Sequence, residues 1–308
     1  MNENKHLYLV KKDVPPEKLF AKVVNDIINP EDEIKPYYSS ENSVIFNQDC
    51  LKILSRIPAN SIDMIFADPP YMLSNNGFTC KNGKMANVNK GKWDASKGFE
   101  EDVKFHDTWI AACRQALKPE GTIWISGTYH SIYQCGYMLQ KNNFHILNDI
   151  AWFKPNAAPN LSCRFFTASH ETILWARKDK KAKHTFNYDA MKHGIFPEDK
   201  IKKENTQMRS VWSIPAPKNG EKEFGKHPTQ KPLDLLLRII KASTNNGAII
   251  LDPFNGSGTT GVASSLLGNR YYIGADIDIS FCALTVKRLL QIEKEPMPSS
   301  VTAARTAG

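Results

Sequence analysis

The chain has 308 residues, 41% of them hydrophobic and 23% charged, which is enough to bury a sizeable core in one large domain or in one domain with an insertion. Its net charge of +8 and pI near 9.0 are compatible with a polyanionic partner without requiring one. Membrane, secreted and zinc-bound classes are disfavoured: no stretch approaches the roughly 18 apolar residues of a span, Met1-Asn2-Glu3-Asn4-Lys5-His6 leads into no long apolar region, and Cys50, Cys80, Cys113, Cys135, Cys163 and Cys282 show no Cys-x-x-Cys spacing. A cytoplasmic protein with reduced thiols and no metal is the expectation.

Residues 1–42 mix charge signs, carry Pro15-Pro16 and Pro36 and show no clean period, so they read as an accessory extension. From Val44 the pattern sharpens. Val44-Ile45-Phe46 is a short strand, Asp49 caps a helix with Leu51, Leu54 and Ile57 on one face, and Pro58 stops it. The apolar run Ile62-Asp63-Met64-Ile65-Phe66-Ala67 then reads as a buried strand. This α/β alternation predicts a mostly parallel sheet with helices on both faces.

That strand ends in Asp68-Pro69-Pro70-Tyr71. Proline has no amide hydrogen for a ladder and restricts the residue before it, so the chain leaves the sheet here. What leaves is a carboxylate, two rigid prolines and an aromatic ring. The set suits a flat heteroaromatic amine, whose N–H groups an acid and a peptide carbonyl accept while the ring stacks; the alternative is an ordinary turn. Residues 73–98 follow, rich in Asn, Gly and Lys, with Lys81, Lys84, Lys90, Lys92 and Lys97 against the single acid Asp94. A loop this long beside the tetrapeptide predicts a lid.

Phe105, Trp109, Ala112, Cys113 and Ala116 recur at helical spacing, and Lys118-Pro119-Glu120-Gly121 ends that helix before the strand Thr122-Ile123-Trp124-Ile125. Trp109 and Trp124 are expected in the core. A helix around Ile132 to Gln140 precedes two strands, Phe144 to Trp152 and Glu171 to Ala176, expected as a hairpin at the sheet edge. The loop between them, from Lys154 to Phe166, combines amides, Arg164 and aromatics, a mix suited to base edges, phosphates and stacking. Residues 177–226 break the α/β rhythm and hold 13 Lys or Arg against 7 Asp or Glu. That is the footprint of a nucleic-acid face, or else of a solvated lysine-rich surface.

The rhythm returns with His227-Pro228-Thr229-Gln230-Lys231-Pro232 and a helix bearing Leu235, Leu236, Ile239 and Ile240. The strand Ala248-Ile249-Ile250-Leu251 then delivers Asp252-Pro253-Phe254-Asn255-Gly256-Ser257-Gly258-Thr259-Thr260-Gly261, with glycines at G-x-G-x-x-G spacing before a helix. A further strand ends at Asp276, 24 residues after Asp252, where an acid can take both hydroxyls of an adenosine ribose. A dinucleotide would set its pyrophosphate against Asp252. S-adenosylmethionine carries no phosphate and offers an ammonium to that carboxylate, so the acid argues for the methyl donor.

Asp68-Pro69-Pro70-Tyr71 first, then a recognition region, then Asp252-Pro253-Phe254-x-Gly256-x-Gly258, resembles the motif order of the beta-class DNA adenine-N6 methyltransferases over about residues 42–292. Asp49-Cys50, Lys92-Trp93-Asp94 and Thr229-Gln230-Lys231-Pro232 match as well. The Ala158-to-Phe166 stretch and Glu171-Thr172-Ile173-Leu174-Trp175 look like the Hinf-type and second Dpn-type methylases of restriction-modification systems.

The resemblance implies an α/β fold: the doubly wound, mostly parallel, Rossmann-like sheet of the class I S-adenosylmethionine-dependent methyltransferases, with circularly permuted motif order and an inserted recognition region. Its segments would be an accessory extension at 1–42, a catalytic half at 43–176, a basic target-recognition insert at 177–226, a cofactor-binding half at 227–292 and a tail at 293–308. Asp252, Phe254, Gly256, Gly258 and Asp276 would hold the cofactor, together with Asn255, Ser257 and Thr259 of the same turn. Asp49 and Cys50 would lie by its adenine ring, and Thr229 and Lys231 by its methionine end.

The target adenine would leave the duplex and stack on Tyr71, with Asp68 and the peptide oxygen of Pro69 accepting its N6 hydrogens and Pro70 stiffening the turn. Lys180, Lys181 and Lys183 are expected on phosphate, Arg164 on a base edge, and Lys92 in the lid as a further DNA contact. A GATC site is expected first and GANTC second. A cognate restriction endonuclease and a homodimer fit the family, though no feature of the sequence establishes either. Rival readings are cytosine-N4 methylation, for which the family favours Ser at the position of Asp68, and a catalytically silent nucleic-acid-binding protein.

Overall fold

A computed structural model describes residues 14–28, 31, 33–72, 78–81, 84–87, 94–157, 159–194 and 206–294. In chain order the elements are α1 (Pro16–Ile27), β1 (Tyr38–Ser39), β2 (Ser43–Asn47), α2 (Cys50–Arg56), β3 (Ile62–Ala67), β4 (Phe78–Lys81), β5 (Lys84–Asn87), α3 (Phe99–Ala116), β6 (Leu117–Gly127), α4 (Ile132–Lys141), β7 (His145–Phe153) and β8 (His170–Arg177). There follow α5 (Tyr188–His193), β9 (Val211–Ser213), α6 (Leu233–Ser243), β10 (Ile249–Asp252), α7 (Thr259–Leu267), β11 (Tyr271–Asp276) and α8 (Ile279–Lys294).

The main sheet has nine strands in the order β1-β2-β11-β10-β3-β6-β8-β7-β9. Only β1 and β8 run against the others. The strand patterns explain the two layers. Along β3, Ile65 and Ala67 face a core built with Phe20, Ile53, Trp109 and Met138 of α1 to α4. Met64 and Phe66 face the opposite core, with Leu235, Val262 and Leu289 of α6 to α8. Successive side chains of a strand point to opposite faces, so a strand covered on both sides reads as a continuous apolar run. Trp109 and Trp124 are buried as expected, and Trp124 stacks on Trp175 with centroids 4.7 Å apart.

The fold departs from the expectations in four places. The described part of the first 42 residues is not an appendage: α1 buries Phe20, Val23, Val24 and Ile27, Phe20 stacks on Tyr271 at 4.8 Å, and β1 pairs with β2, whereas residues 1–13 lie outside the described residues. Proline at the start of α1 and an apolar stripe only one helix long hid that element from a period search over the whole segment. Lys118 to Gly121 lie within β6, whose register against β3 slips between Ile62 and Met64. The β7–β8 hairpin does not end the sheet, because β9 adds to β7 in parallel and sinks Trp212 into the core. The basic segment is therefore stitched into the domain. Asn187 Nδ2 also donates to Lys241 O at 2.8 Å and to Thr244 O at 3.0 Å. Finally, the predicted lid contains an antiparallel hairpin, β4–β5; Lys92 and Trp93 lie outside the described residues, as does Ala158.

Cys50, Cys113, Cys135 and Cys282 are buried free thiols, and Cys163 is an exposed one. Among the described residues no helix is long and apolar enough to cross a membrane.

Candidate active site

Four neighbouring parallel strands end at the same rim of the sheet, and each delivers a carboxylate: β2 leads to Asp49, β11 ends in Asp276, β10 ends in Asp252 and β3 leads to Asp68. Ligands of open α/β sheets bind outside these carboxyl ends. A cavity of about 460 Å³ lies there, within the usual range for small-molecule sites. Asp49, Cys50, Asp68, Pro70, Thr229, Lys231, Asp252, Phe254, Asn255, Gly256, Ser257, Thr259 and Asp276 line it. Of the predicted catalytic and cofactor residues, Pro69, Tyr71 and Gly258 are off its wall.

At one end stand the glycine turn and two acids. Asp252 is buried, accepts the Thr260 hydroxyl at 2.6 Å and the Phe254 amide at 3.1 Å, and is pushed up to about 7 by burial. Asp276 accepts the Gly256 amide at 2.7 Å and the Asp278 amide at 2.9 Å, and burial raises it to about 6. Neither has an ion-pair partner among the described residues.

The turn between them needs glycine twice. Gly256 and Gly258 have φ of +51° and +71°, and a side chain at Gly258 would run into Thr285. Asn255 lines the cavity and its side chain braces the turn from behind: it accepts the Tyr272 hydroxyl at 2.7 Å and donates to Thr285 Oγ1 at 2.7 Å. Arg288 does the same for the next residues, donating to Ser257 O at 2.6 Å and Thr259 Oγ1 at 2.9 Å.

Phe254, Ile277 and Phe281 form an apolar wall, and Phe254 is set by an edge-on contact with Trp109 at 5.3 Å. Cys50 belongs to that wall as well, since burial and the neighbouring Asp49 push its thiol up to about 12. Two carboxyls short of counter-charge, an apolar slot and a backbone cradle fit a cationic, hydroxyl-bearing ligand with a flat ring. They do not fit a pyrophosphate.

At the other end the tetrapeptide is fixed by a fully buried acid from the lid segment. Asp94 accepts the Tyr71 amide at 2.7 Å and the Met72 amide at 3.0 Å, which holds Met72 at φ +58°. Lys231 donates to Asp68 Oδ2 at 2.5 Å and to the Tyr71 hydroxyl at 2.8 Å; that hydroxyl lies 2.7 Å from Asp68 Oδ1 and 3.2 Å from Glu171 Oε2. Lys154 holds the other oxygen of Glu171 at 2.8 Å.

Burial, seconded by Glu171, raises the Asp68 carboxyl although Lys231 opposes it. For Glu171 burial loses: Lys231 and Lys154 pull it down to about 2. Asp68 and Glu171 together hold the Lys231 ammonium above its ordinary value despite burial.

Two of these residues are engaged otherwise than expected. Lys231, expected at the methionine end of a cofactor, places its ammonium on Asp68. Tyr71, expected to offer a ring face, is buried with its hydroxyl turned to Asp68 and Glu171. Glu171, His227, Ile277 and Phe281 had no assigned role. An acid two residues before the apolar run Ile173-Leu174-Trp175-Ala176, and in phase with Ile173 along the strand, was the available signal for Glu171, because such a group is buried only with partners.

The expected DNA contacts separate. Arg164 is exposed in the loop between β7 and β8, at the cavity end of the sheet. Lys180, Lys181 and Lys183 are exposed at the opposite end. Thr172 of β8 pairs with Gly127 at the carboxyl end of β6, whereas Arg177 pairs with Thr122 midway along it and Lys178 N donates to Gly121 O at 3.1 Å further back. The strand thus carries the chain about 17 Å away before these lysines emerge. Lys178 confirms the direction by donating to Asn60 Oδ1 at 2.7 Å, below β3. Their expected role on phosphate beside the site does not follow from where they stand.

A family model described as DNA methylase matches residues 62–287. The chain is 51% identical over 261 residues to the type II methyltransferase M2.MboI of Moraxella bovis, covering 84% of this chain and 92% of that protein. It is 50% identical over 256 residues to the type II methyltransferase M2.DpnII of Streptococcus pneumoniae, covering 83% and 92%. Among solved structures, the M1.HpyAVI–SAM complex superposes with a TM-score of 0.58 at 28% identity, over 80% of this chain and 98% of that one. The cytosine-N4-specific PvuII DNA methyltransferase superposes with a TM-score of 0.65 at 18% identity over 89% and 95%, a likeness of fold alone.

Proposed function

We infer, for a chain that belongs to the DNA methylase family and is an S-adenosylmethionine-dependent DNA methyltransferase, that its acceptor is N6 of an adenine flipped out of a short duplex site. The observation that carries this reading is Asp68, a carboxylate at a strand end that lines the same cavity as Asp252 and Asp276. Asp252, Asp276, the Gly256 backbone, Phe254 and Ile277 would hold the cofactor. Bound there, it supplies an electrophilic methyl group.

The residues of the chain position the acceptor. Asp68 accepts an N6 hydrogen, the Pro69 carbonyl accepts the other, and the two together aim the nitrogen lone pair. Adenine exchanges the Tyr71–Asp68 hydrogen bond for its own, which frees the Tyr71 ring to lie against the base. Lys231 keeps Asp68 ionised and fixed through Oδ2. Catalysis rests on orientation and on stabilising the positive charge that develops at N6.

Resemblance to the second Dpn-type methylases supports a GATC site, with GANTC second, and a cognate endonuclease as partner. A homodimer fits the family, and a cytoplasmic location fits a DNA substrate. Labelled donor, duplex DNA and mass spectrometry of the hydrolysed bases test the reading. N6-methyladenine is expected; N4-methylcytosine, or no methylated base, overturns it. Asp68→Ala should retain cofactor binding and lose nearly all transfer.

A further inference from the structure

Phe166 is 97% exposed and Phe165 66% exposed, side by side on the loop of residues 154–169. Large apolar side chains left this bare are informative when they cluster and when the segment is built to present them. This one is built. Lys154 N donates to Ser169 O at 2.7 Å to close the root, and Ala216 N donates to Asn156 Oδ1 at 3.1 Å to tie the loop to the segment after β9. Asn160 Nδ2 donates to Phe165 O at 2.6 Å, and Asn160 Oδ1 accepts the Ser162 amide at 3.0 Å, so the tip is folded on its own amide. Cys163 takes φ +52° to make the bend.

The root adjoins the catalytic residues. Lys154 pairs with Glu171, which stands 3.2 Å from the Tyr71 hydroxyl. The loop contains no acid, and Arg164 sits beside the two rings. An apolar tip with a guanidinium next to it, at the rim that receives the base, matches a base stack whose edges present hydrogen-bond acceptors.

We propose that Phe166, buttressed by Phe165, is a wedge that enters the DNA stack beside the target adenine and fills the gap its flipping leaves. Inserted apolar side chains unstack base steps in this way, and the cost of extruding a base is least where it is mispaired or already unstacked. This role rests on the adenine-N6 reading above.

The test uses the whole enzyme, with Phe166→Ala and Phe166→Leu, on two duplexes containing the site at which the parent methylates adenine. One is fully paired; the other carries an abasic position opposite the target. Phe166→Ala is expected to lower kcat/KM at least about tenfold on the paired duplex and to return to within about threefold of the parent on the abasic one. Phe166→Leu should stay closer to the parent on both. Cofactor affinity should be unchanged, and 2-aminopurine at the target should brighten with the parent but not with Phe166→Ala. Near-parental activity of Phe166→Ala on paired DNA overturns the wedge alone, as does an equal loss on both duplexes. A parent that methylates no adenine in duplex DNA overturns the proposed function and the wedge with it.

Discussion

Lys231 Nζ lies 2.5 Å from Asp68 Oδ2 and 3.6 Å from Glu171 Oε2, so one buried ammonium serves two buried carboxylates. The tetrapeptide from the first half of the chain and the Thr229-Gln230-Lys231-Pro232 segment from the second are thereby locked together at the acceptor end of the cavity. Lys231→Met should lower kcat by two orders of magnitude or more while leaving cofactor affinity within about threefold. It should also destabilise the fold by about 3–5 kcal/mol, because it leaves Asp68 without its cation beside Glu171, which keeps only Lys154. Equilibrium binding, single-turnover rates and denaturant unfolding separate these effects. Weakened cofactor binding with an intact rate would return Lys231 to the methionine end.

Glu171 raises the Asp68 carboxyl through like charge, while Lys231 and Lys154 hold Glu171 itself ionised. Glu171→Gln removes the neighbouring negative charge, so Asp68 should stay ionised to lower pH. The acid limb of the kcat/KM profile is therefore expected to move down in pH. The groups that face this pair are Lys231, Lys154 and the Tyr71 hydroxyl. A limb that stays in place, or moves up, removes Glu171 from the electrostatics of Asp68.

Asp252 is held at about 7, well above the ordinary carboxylate value of 3.8, by burial. Its raised value means that the folded protein without ligand takes up a proton more readily than the unfolded chain. Stability from this group is present below the unfolded value and declines as pH rises toward 7. A cationic ligand reverses the preference by stabilising the carboxylate. Cofactor affinity should therefore be constant above about pH 7 and fall as pH drops below it, with a limiting slope of about tenfold per unit. Asp252→Asn should stabilise the unliganded protein at pH 8 by on the order of 1–4 kcal/mol, remove most of the affinity, and leave only the fall below about pH 6 that Asp276 contributes. Thermal unfolding and titration calorimetry across pH 5.5–8.5 check both signs.

What the sequence made legible was the set of strand ends. Asp68, Asp252 and Asp276 each follow an apolar run, and parallel packing brings such ends to one rim, so cavity residues 208 positions apart in the chain could be named together. The turn chemistry of Gly256 and Gly258 was equally plain, since only glycine takes those φ values cheaply. Three things were not legible. The partners of Lys231 depend on a side-chain direction that no spacing encodes. The place of Glu171 depends on β8, the returning strand of the expected hairpin, lying beside β6 and not at the edge, a reversal that puts its first residues at the carboxyl end of β6. Lys180, Lys181 and Lys183 have a charge that composition records, but their end of the sheet is set by that same reversal.

That reversal makes the last prediction opposite to what charge alone suggests. Lys180, Lys181 and Lys183 emerge beyond Arg177, at the end of the sheet away from Asp68, whereas Arg164 stands on the loop at the cavity end. A phosphate contact contributes about 0.9 to the salt slope of duplex binding, so three such contacts would be visible as a change of nearly three. Replacing the three lysines by alanine should leave both affinity and salt slope unchanged. Arg164→Ala should instead reduce preference for the cognate site over a one-base variant, by about 1–3 kcal/mol if it reads a base edge, with little change in non-specific binding. Fluorescence anisotropy on cognate and variant duplexes across 50–200 mM salt measures all of these quantities. A flattened slope in the lysine variant would put the DNA path along the far end of the sheet, and a uniform loss on both duplexes for Arg164→Ala would make that arginine a phosphate contact.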